Sequence, residues 1–241
     1  KKGLLAPSVT AGLSTVGLRM PNHEVALRLL RKLQKPVAAP SANRSGKPSP
    51  TKAVHVEEDL QGRIPLILDG GATGIGIEST VLDVTVTPPV ILRPGGVTKE
   101  MLEQVIGTVI LPTKNQQKLD STPKAPGMKY THYAPNAPVY LIEHNKKEIE
   151  LAIRQLKKEG HKVALLAPSS YQDIKADYFF PYGNEGNKEQ MSAKLYDDLR
   201  ACDKTEATII LATTTTTEGV GAAIMNRLEK AAGNKWYKNR E

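Results

Sequence analysis

The chain has 241 residues, of which 39% are hydrophobic, and its only cysteine is Cys202. This length supports one or two hydrophobic cores, and a lone cysteine excludes an internal disulfide and a zinc site built on several thiolates, as in a protein of a reducing cytosol. No apolar run approaches the roughly 20 residues of a membrane helix, and the first residues are too soon broken by proline for a signal peptide. We therefore expect a soluble, cytoplasmic globular protein without a membrane anchor.

The net charge of +8 favours anionic partners, such as a nucleotide or a nucleic acid. The charges are scattered, and only two Phe and one Trp are present to stack on bases. The composition therefore argues against a dedicated RNA-binding module. Cys202 lies in a helical pattern and is expected to pack in a core rather than to act as a nucleophile.

The first predicted element is an amphipathic helix over residues 22–34, where apolar residues recur at near-helical spacing until Pro36 stops the pattern. A second, short helix is predicted near residues 98–106. Short β-branched or apolar runs punctuated by Gly and Pro indicate strands over residues 37–39, 65–69, 79–86 and 89–92. The polar motifs of this half lie in the turns between these strands.

Residues 112–138 are rich in Pro, Lys, Gln and Thr, which indicates a long linker that is either disordered or a lid. Beyond it, strands are predicted over residues 139–143, 162–167, 177–180 and 207–212, and helices over residues 146–159, 188–202 and 221–232. This alternation predicts a parallel three-layer α/β sheet of flavodoxin or Rossmann type. We accordingly predict a first domain over residues 1–111, a linker over 112–138 and a second domain over 139–241.

Several motifs could bind ligands or could serve the fold alone. Ser41 and Asn43 follow an apolar strand, so they could hold a ribose, phosphate or amino acid, or could only cap turns. Arg93 ends a strand, where its guanidinium could bind a phosphate or carboxylate or form an ordinary surface salt bridge. His132 could be a loop histidine without a ligand, because the histidines show no metal-binding spacing.

Two further stretches could bind a ligand or could have no ligand-binding role. The Gly-rich residues 70–79 could approach an anion with their backbone N–H groups, but they lack the Gly-Lys-Ser/Thr ending and the third glycine of the common phosphate loops. A mobile hairpin between strands is the alternative. The threonines at 213–217 lie at the carboxyl end of a strand, where such sheets bind ligands, but a low-complexity accident is favoured over a site.

In combination, the motifs resemble the long form of the threonylcarbamoyl-AMP synthase family, which joins a YrdC-type catalytic domain to a smaller C-terminal domain. The motifs that carry the resemblance are Ser41-Ala42-Asn43, Glu78-Ser79-Thr80-Val81-Leu82-Asp83, Leu92-Arg93-Pro94-Gly95 and Lys129-Tyr130-Thr131-His132-Tyr133-Ala134-Pro135. The likeness covers nearly the whole chain. It implies a partial YrdC-type twisted α/β domain, a linker over the active site and a small parallel-sheet, Rossmann-like C-terminal domain.

The resemblance implies condensation of L-threonine, bicarbonate and ATP into threonylcarbamoyl-AMP and pyrophosphate, with Mg²⁺ arriving with ATP, for modification of adenosine 37 in tRNA by a downstream threonylcarbamoyl transferase complex. The implied L-threonine-binding residues are Arg19, Ser41 and Ser79. The implied ATP-binding residues are Thr15, Asn43, Thr51, Arg93 and His132, with further lid contacts from Lys129 and Tyr130. No covalent nucleophile and no protein-only metal site are expected, because the chemistry needs positioning and charge neutralisation.

One departure from the family pattern is the absence of its early Lys-x-Arg phosphate-binding signature, as if the first part of the catalytic domain were missing. Such a fragment should expose apolar surface and be weakly active or inactive. Two alternatives to the synthase stay open. One is a carbamoyl-adenylate-forming maturation factor, which is not expected to carry the linker motif, and the other is a non-catalytic RNA-binding or regulatory YrdC-type protein.

Overall fold

The structure is a computed structural model that describes residues 5–10, 12–112 and 133–239. Most of the predicted linker, with Lys129, Tyr130 and His132, therefore lies outside the described residues. Within the described ranges, no helix is long and apolar enough to cross a membrane.

The first half of the chain consists of long loops that carry short helices and one small sheet. Its elements are α1 (Pro7–Thr10), α2 (Glu24–Leu33), α3 (Ala53–Leu60), β1 (Val81–Asp83), β2 (Val90–Arg93) and α4 (Lys99–Ile106). Strands β1 and β2 pair antiparallel, and Ile91 of β2 is only 1% exposed. This hairpin brings together the two motifs at 78–83 and 92–95.

Helices α2 and α4 confirm the two helices predicted for this half. The side chain of His23 accepts a hydrogen bond from the N–H of Ala26 at the start of α2, and Thr98 accepts one from the N–H of Met101 at the start of α4. Such caps satisfy N–H groups that have no partner within the helix. Gln34, with a φ of 50°, ends α2 before Pro36.

The strands predicted over residues 37–39 and 65–69 are wrong, and the strand predicted over 79–86 shortens to β1. A strand needs a hydrogen-bonded neighbour, and the described residues provide none for these two segments. Leu66 is 70% exposed, and Leu18 and Met20 are 88% and 86% exposed, so this part of the fold does present the expected apolar surface.

Helix α3 is an element that the sequence pattern does not predict. Its buried residues, His55 and Asp59, are polar and are 4% and 8% exposed. Hydrophobic periodicity finds only helices whose buried face is apolar. The polar side of α3 faces charged residues of the second half, which are described below.

The second half forms a four-stranded parallel sheet between helices, here called the C-terminal domain. Its elements are β3 (Val139–Ile142), α5 (Lys146–Lys158), β4 (Val163–Ala167), β5 (Tyr178–Pro181), α6 (Lys188–Cys202), β6 (Ile209–Thr213) and α7 (Gly221–Ala231). The strand order is β3-β6-β4-β5, and every pair is parallel. The predicted α/β fold class is confirmed.

Two apolar clusters hold this sheet between its helices. Side chains of α5, such as Ile149 and Ile153, pack with Leu165 and Leu211 on one face. Helices α6 and α7 pack on the other face, where Cys202 lies at 2% exposure in the core, as its sequence context predicts. Burial also raises the pKa of the Cys202 thiol, which disfavours the nucleophilic thiolate.

The threonine run after β6 begins inside the fold. Thr213 is fully buried, and its hydroxyl hydrogen-bonds that of Tyr182. This contact gives the first threonine of the run a structural role at the carboxyl end of the sheet.

Candidate functional site

Ser79 and Arg93, two of the predicted site residues, are in direct contact. Nη2 and Nε of Arg93 donate hydrogen bonds to the carbonyl oxygen of Ser79 at 2.9 and 3.2 Å. Arg93 is the last residue of β2, and Ser79 lies two residues before β1, so the small hairpin positions both. The sequence suggests for Arg93 either an anion contact or a surface salt bridge. Neither of these roles includes the observed hydrogen bonds from the guanidinium to a backbone carbonyl.

The glycine after Arg93-Pro94 allows the two motifs to lie this close. A Cβ on Gly95 would lie 2.3 Å from the backbone nitrogen of Thr80 and 2.4 Å from the carbonyl oxygen of Glu78. Only glycine fits at such an approach of two backbones. The glycine of the Arg-Pro-Gly sequence therefore allows the backbone of residues 78–80 to pack directly against it.

Glu78 is the centre of the most connected polar cluster around the predicted site. Its carboxylate accepts hydrogen bonds from Ser49 Oγ at 2.6 Å, from the Tyr196 hydroxyl at 2.9 and 3.1 Å and from Arg227 Nε at 2.8 Å. Burial raises the pKa of Glu78, but the Arg227 charge and the hydrogen bonds from Ser49 and Arg227 outweigh it and lower that pKa to about 2. Glu78 is therefore an anion at every physiological pH.

The charges around Glu78 are mostly positive. Burial and the neighbouring charges of Arg227 and Arg93 lower the pKa of Lys230 to about 8. A neighbouring cation lowers the pKa of a lysine, and poor solvation strengthens that effect. The surroundings of Ser79 thus favour an anionic group.

Thr51, a third predicted site residue, is held by the buried histidine of α3. Its N–H donates to His55 Nδ1 at 3.2 Å, so Nδ1 is an acceptor and the proton of a neutral ring lies on Nε2. His55 Nε2 lies 3.2 Å from Asp197 Oδ1 of α6 and donates to it. Burial and the Arg200 charge lower the pKa of His55, in agreement with a neutral ring.

Asn43, a fourth, uses its side chain amide to close the loop that contains it. Its Nδ2 donates to the carbonyl oxygens of Arg44 at 2.8 Å and Lys47 at 3.2 Å, which is the turn-capping role considered above. Its Oδ1 is buried and has no hydrogen-bond partner among the described residues. A buried oxygen without a partner is suited to accept a hydrogen bond from a ligand or a water.

The other predicted residues are not brought into this network. Thr15, Arg19 and Ser41 are exposed, and no hydrogen bond among the described residues links them to the remaining candidates. His132, Lys129 and Tyr130 lie outside the described residues. In the described part of the chain, no group of three or more His, Cys, Asp or Glu residues could hold a metal ion.

The loop at 40–51 and helix α3 are tied to the C-terminal domain by ion pairs. The most buried pair joins Arg200 Nη2 to Asp59 Oδ2 at 2.6 Å, and Arg200 also donates to the carbonyl oxygen of Pro48 at 2.7 Å. Asp59 in turn accepts from the N–H of Arg44 at 3.2 Å. More exposed pairs join Lys47 to Asp203, Lys52 to Asp197, and Lys204 to Glu58.

No role is predicted from the sequence for four residues of this network, Glu78, His55, Tyr196 and Arg227. A signal for Arg227 does exist, because it shares the apolar face of α7 with Ala223, Ile224 and Leu228 and is fully buried there. A charged residue on an apolar helix face needs a buried partner. The sequence could not tell that this partner is Glu78, which lies 149 positions earlier.

Two family profiles match the chain. One, described as "Telomere recombination", covers residues 1–95, and the other, described as "Threonylcarbamoyl-AMP synthase, C-terminal domain", covers residues 97–233. The threonylcarbamoyl-AMP synthase of Bacillus subtilis is 49% identical over 98% of this chain and 68% of its own length, and that of Pyrococcus abyssi is 47% identical over 95% and 67%. The chain thus spans about two thirds of the length of these relatives.

A solved structure gives the same result at the level of the fold. The crystal structure of P. abyssi Sua5 complexed with L-threonine superposes with a TM-score of 0.89 at 45% identity, over 98% of this chain and 69% of that chain. Fold and motifs therefore define a two-part α/β synthase. The chain belongs to the threonylcarbamoyl-AMP synthase family, which confirms the family, fold and enzyme class predicted from its motifs.

Proposed function

We propose that this protein condenses L-threonine, bicarbonate and ATP into threonylcarbamoyl-AMP and pyrophosphate. The observation that carries the proposal is the contact between Arg93 and the Ser79 carbonyl, in a chain that superposes with a TM-score of 0.89 on a relative crystallised with L-threonine. The two motifs that hold these residues lie side by side in the β1–β2 hairpin, close to the positive charges of Arg227 and Lys230. A ligand that carries a carboxylate or phosphate fits that environment.

L-Threonine is proposed to bind Arg19, Ser41 and Ser79. The guanidinium of Arg19 would pair with the carboxylate, and the hydroxyls of Ser41 and Ser79 would bind the polar groups of the amino acid. All three residues are exposed, so a ligand can reach them.

ATP is proposed to bind Thr15, Asn43, Thr51, Arg93 and His132, with Lys129 and Tyr130 as further contacts. The unpartnered Oδ1 of Asn43 is suited to a hydroxyl or amino donor of the nucleoside. Arg93 is suited to the phosphates as a fixed positive charge.

The proposed reaction proceeds in two steps. The threonine amine attacks bicarbonate, and loss of water gives a carbamate with a new N–C bond. A carbamate oxygen then attacks the α-phosphorus of ATP in line, the bond to the β-phosphate oxygen breaks, and pyrophosphate leaves. No protein nucleophile takes part, so the residues contribute positioning and charge neutralisation.

Mg²⁺ is proposed to accompany ATP. The neutral hydroxyl and amide oxygens of the candidate residues fit a cation that keeps most of its ligands from phosphates and water, and the Glu78 carboxylate is occupied by Arg227. Bound in this way, the ion would neutralise phosphate charge.

In the cell, the protein is proposed to act in the cytoplasm. Its product would be consumed by a threonylcarbamoyl transferase complex that modifies adenosine 37 of tRNA, which makes tRNA itself an indirect partner.

The test is pyrophosphate release by the full-length natural protein in the presence of Mg²⁺-ATP. We expect release to require both L-threonine and bicarbonate and to fall at least tenfold in Ser79→Ala, while Ser170→Ala, an exposed serine of the C-terminal domain, leaves it unchanged. Release that is indifferent to L-threonine would contradict the proposal. Salt-sensitive tRNA binding without turnover would favour the non-catalytic alternative.

A further inference from the structure

The C-terminal domain reaches the proposed L-threonine site through two buried side chains, Arg227 and Tyr196. Arg227 of α7 is fully buried, and its Nε lies 2.8 Å from Oε2 of Glu78, the residue next to Ser79. The hydroxyl of Tyr196, from α6, donates to the same carboxylate at 2.9 Å. Two helices of the C-terminal domain therefore hold the residue that precedes a proposed substrate ligand.

The 78–80 segment is held from both sides of Ser79. On one side, the Glu78 carboxylate is fixed by Arg227 and Tyr196, and on the other, the Ser79 carbonyl is fixed by two hydrogen bonds from Arg93. The Ser79 side chain itself is exposed. These contacts fix the backbone of residues 78–79, and with it the position of the Ser79 Cβ atom.

Close packing at Gly76, two residues before Glu78, also links this segment to the C-terminal domain. Gly76 has a φ of 76°, and a Cβ there would lie 2.3 Å from the Ser192 carbonyl oxygen and 2.5 Å from the Ala193 Cα of α6. The backbone at Gly76, three residues before Ser79, therefore packs directly against helix α6 of the C-terminal domain.

We infer that Arg227 is a positioning residue for the L-threonine site, which it orients through Glu78. Without the guanidinium, Glu78 would be a buried carboxylate that has lost its countercharge, and such a group moves toward water. Since Glu78 is bonded directly to Ser79, that movement would turn the Ser79 hydroxyl away from its substrate. The C-terminal domain is then a part of the substrate site, an inference that rests on the proposed function.

The test uses the full-length natural protein and four variants. Arg227→Met removes the charge, Glu78→Gln is a milder change that keeps the side chain shape, and the double variant Glu78→Met with Arg227→Met removes both buried charges. Lys204→Met is the matched control, because it breaks an exposed ion pair of 2.6 Å with Glu58 across the same boundary. The readouts are the calorimetric Kd for L-threonine, the KM values for L-threonine and ATP, kcat and the Tm.

We expect Arg227→Met to raise the Kd and KM for L-threonine at least tenfold, with a smaller change in the KM for ATP. Glu78→Gln should raise them less, and Lys204→Met should leave them unchanged. The double variant should recover much of the lost Tm, because no unpaired charge stays buried, while its affinity for L-threonine remains low. A Tm that recovers while the affinity for L-threonine stays low would show that Arg227 positions the site in addition to stabilising the fold.

Two results would overturn the inference. One is wild-type affinity for L-threonine in Arg227→Met, and the other is an affinity that recovers together with the Tm in the double variant. A wild-type protein that binds no L-threonine would instead refute the proposed function itself, and the inference with it.

Discussion

At the residue scale, the arrangement around Ser79 depends on the Glu78 carboxylate, which is largely buried and paired with Arg227. Despite this burial, Arg227 and Ser49 lower the pKa of Glu78 to about 2, whereas the ordinary value is 4.5. A carboxyl group whose pKa is lower in the folded than in the unfolded state stabilises the fold above its unfolded pKa. That stabilisation is lost as the pH falls from 4.5 toward 2.

The first prediction follows from this shift. Wild type should exceed Glu78→Gln in free energy of unfolding by on the order of 3 kcal/mol at pH 7, and the difference should shrink steadily below pH 4.5. Chemical denaturation of both proteins at pH 7 and pH 3 measures this difference. The other carboxyl groups are present in both proteins, so their contributions cancel. A difference that is the same at both pH values would contradict the assignment of Glu78 as the buried anion.

Asp198 of α6 shows the opposite behaviour. Its side chain is 7% exposed, Lys194 is 3.4 Å away, and Oδ2 has no hydrogen-bond partner among the described residues. Burial raises its pKa to about 7, although Lys194 opposes the shift. A folded pKa above the unfolded one means that the ionised carboxylate destabilises the fold, by an amount that grows between pH 3.8 and 7 and is constant above.

The second prediction is that Asp198→Asn stabilises the protein in alkaline but not in acidic solution. The gain should reach up to about 4 kcal/mol above pH 7 and be close to zero near pH 4. Thermal unfolding of the two proteins at pH 4 and pH 8 tests this. An equal gain at both pH values would show that the carboxyl is not the titrating group.

At the scale of elements, the sequence predicts the C-terminal domain well and the first half in part. The strand and helix patterns from 139 onward recur in β3 to α7 because each element buries an apolar face, such as Ile149 and Ile153 of α5. The sequence pattern does not reveal helix α3, because this helix buries His55 and Asp59 against charged residues that lie far along the chain. Pattern alone cannot identify a face whose partners are polar and distant.

The same limit applies to the candidate site. The motifs locate Ser79 and Arg93, but nothing in them indicates that the arginine holds the serine carbonyl or that Arg227 holds Glu78. Interactions of this kind are specified by the fold. The Gly-rich stretch gives a third example, since Gly76 makes a close approach to α6 that neither the anion-binding nor the hairpin interpretation includes.

The third prediction concerns that close approach. Gly76→Ala should destabilise the protein by about 1–3 kcal/mol more than Gly62→Ala, because the two glycines have similar φ values of 76° and 74° but only Gly76 has backbone atoms in the way. The difference in Tm between the two variants measures the clash separately from backbone strain. Equal losses would show that α6 does not pack against this segment.

At the scale of the whole molecule, ion pairs and close packing join the two halves. The buried pairs, Arg227 with Glu78 and Arg200 with Asp59, fix geometry, while exposed pairs such as Lys204 with Glu58 contribute little to stability. Apolar contacts add to them, since Ile77 packs against the core of the C-terminal domain. The boundary thus holds both the Thr51 and the Ser79 regions in place.

The proposed position of the substrate at Ser79 is tested most directly by a crystal structure of the full-length natural protein with L-threonine. We expect the amino acid within hydrogen-bond distance of Ser79, with Arg93 still on the Ser79 carbonyl and Glu78 still paired with Arg227. L-Threonine bound elsewhere, or bound at Ser79 with the Glu78–Arg227 pair broken, would contradict the account.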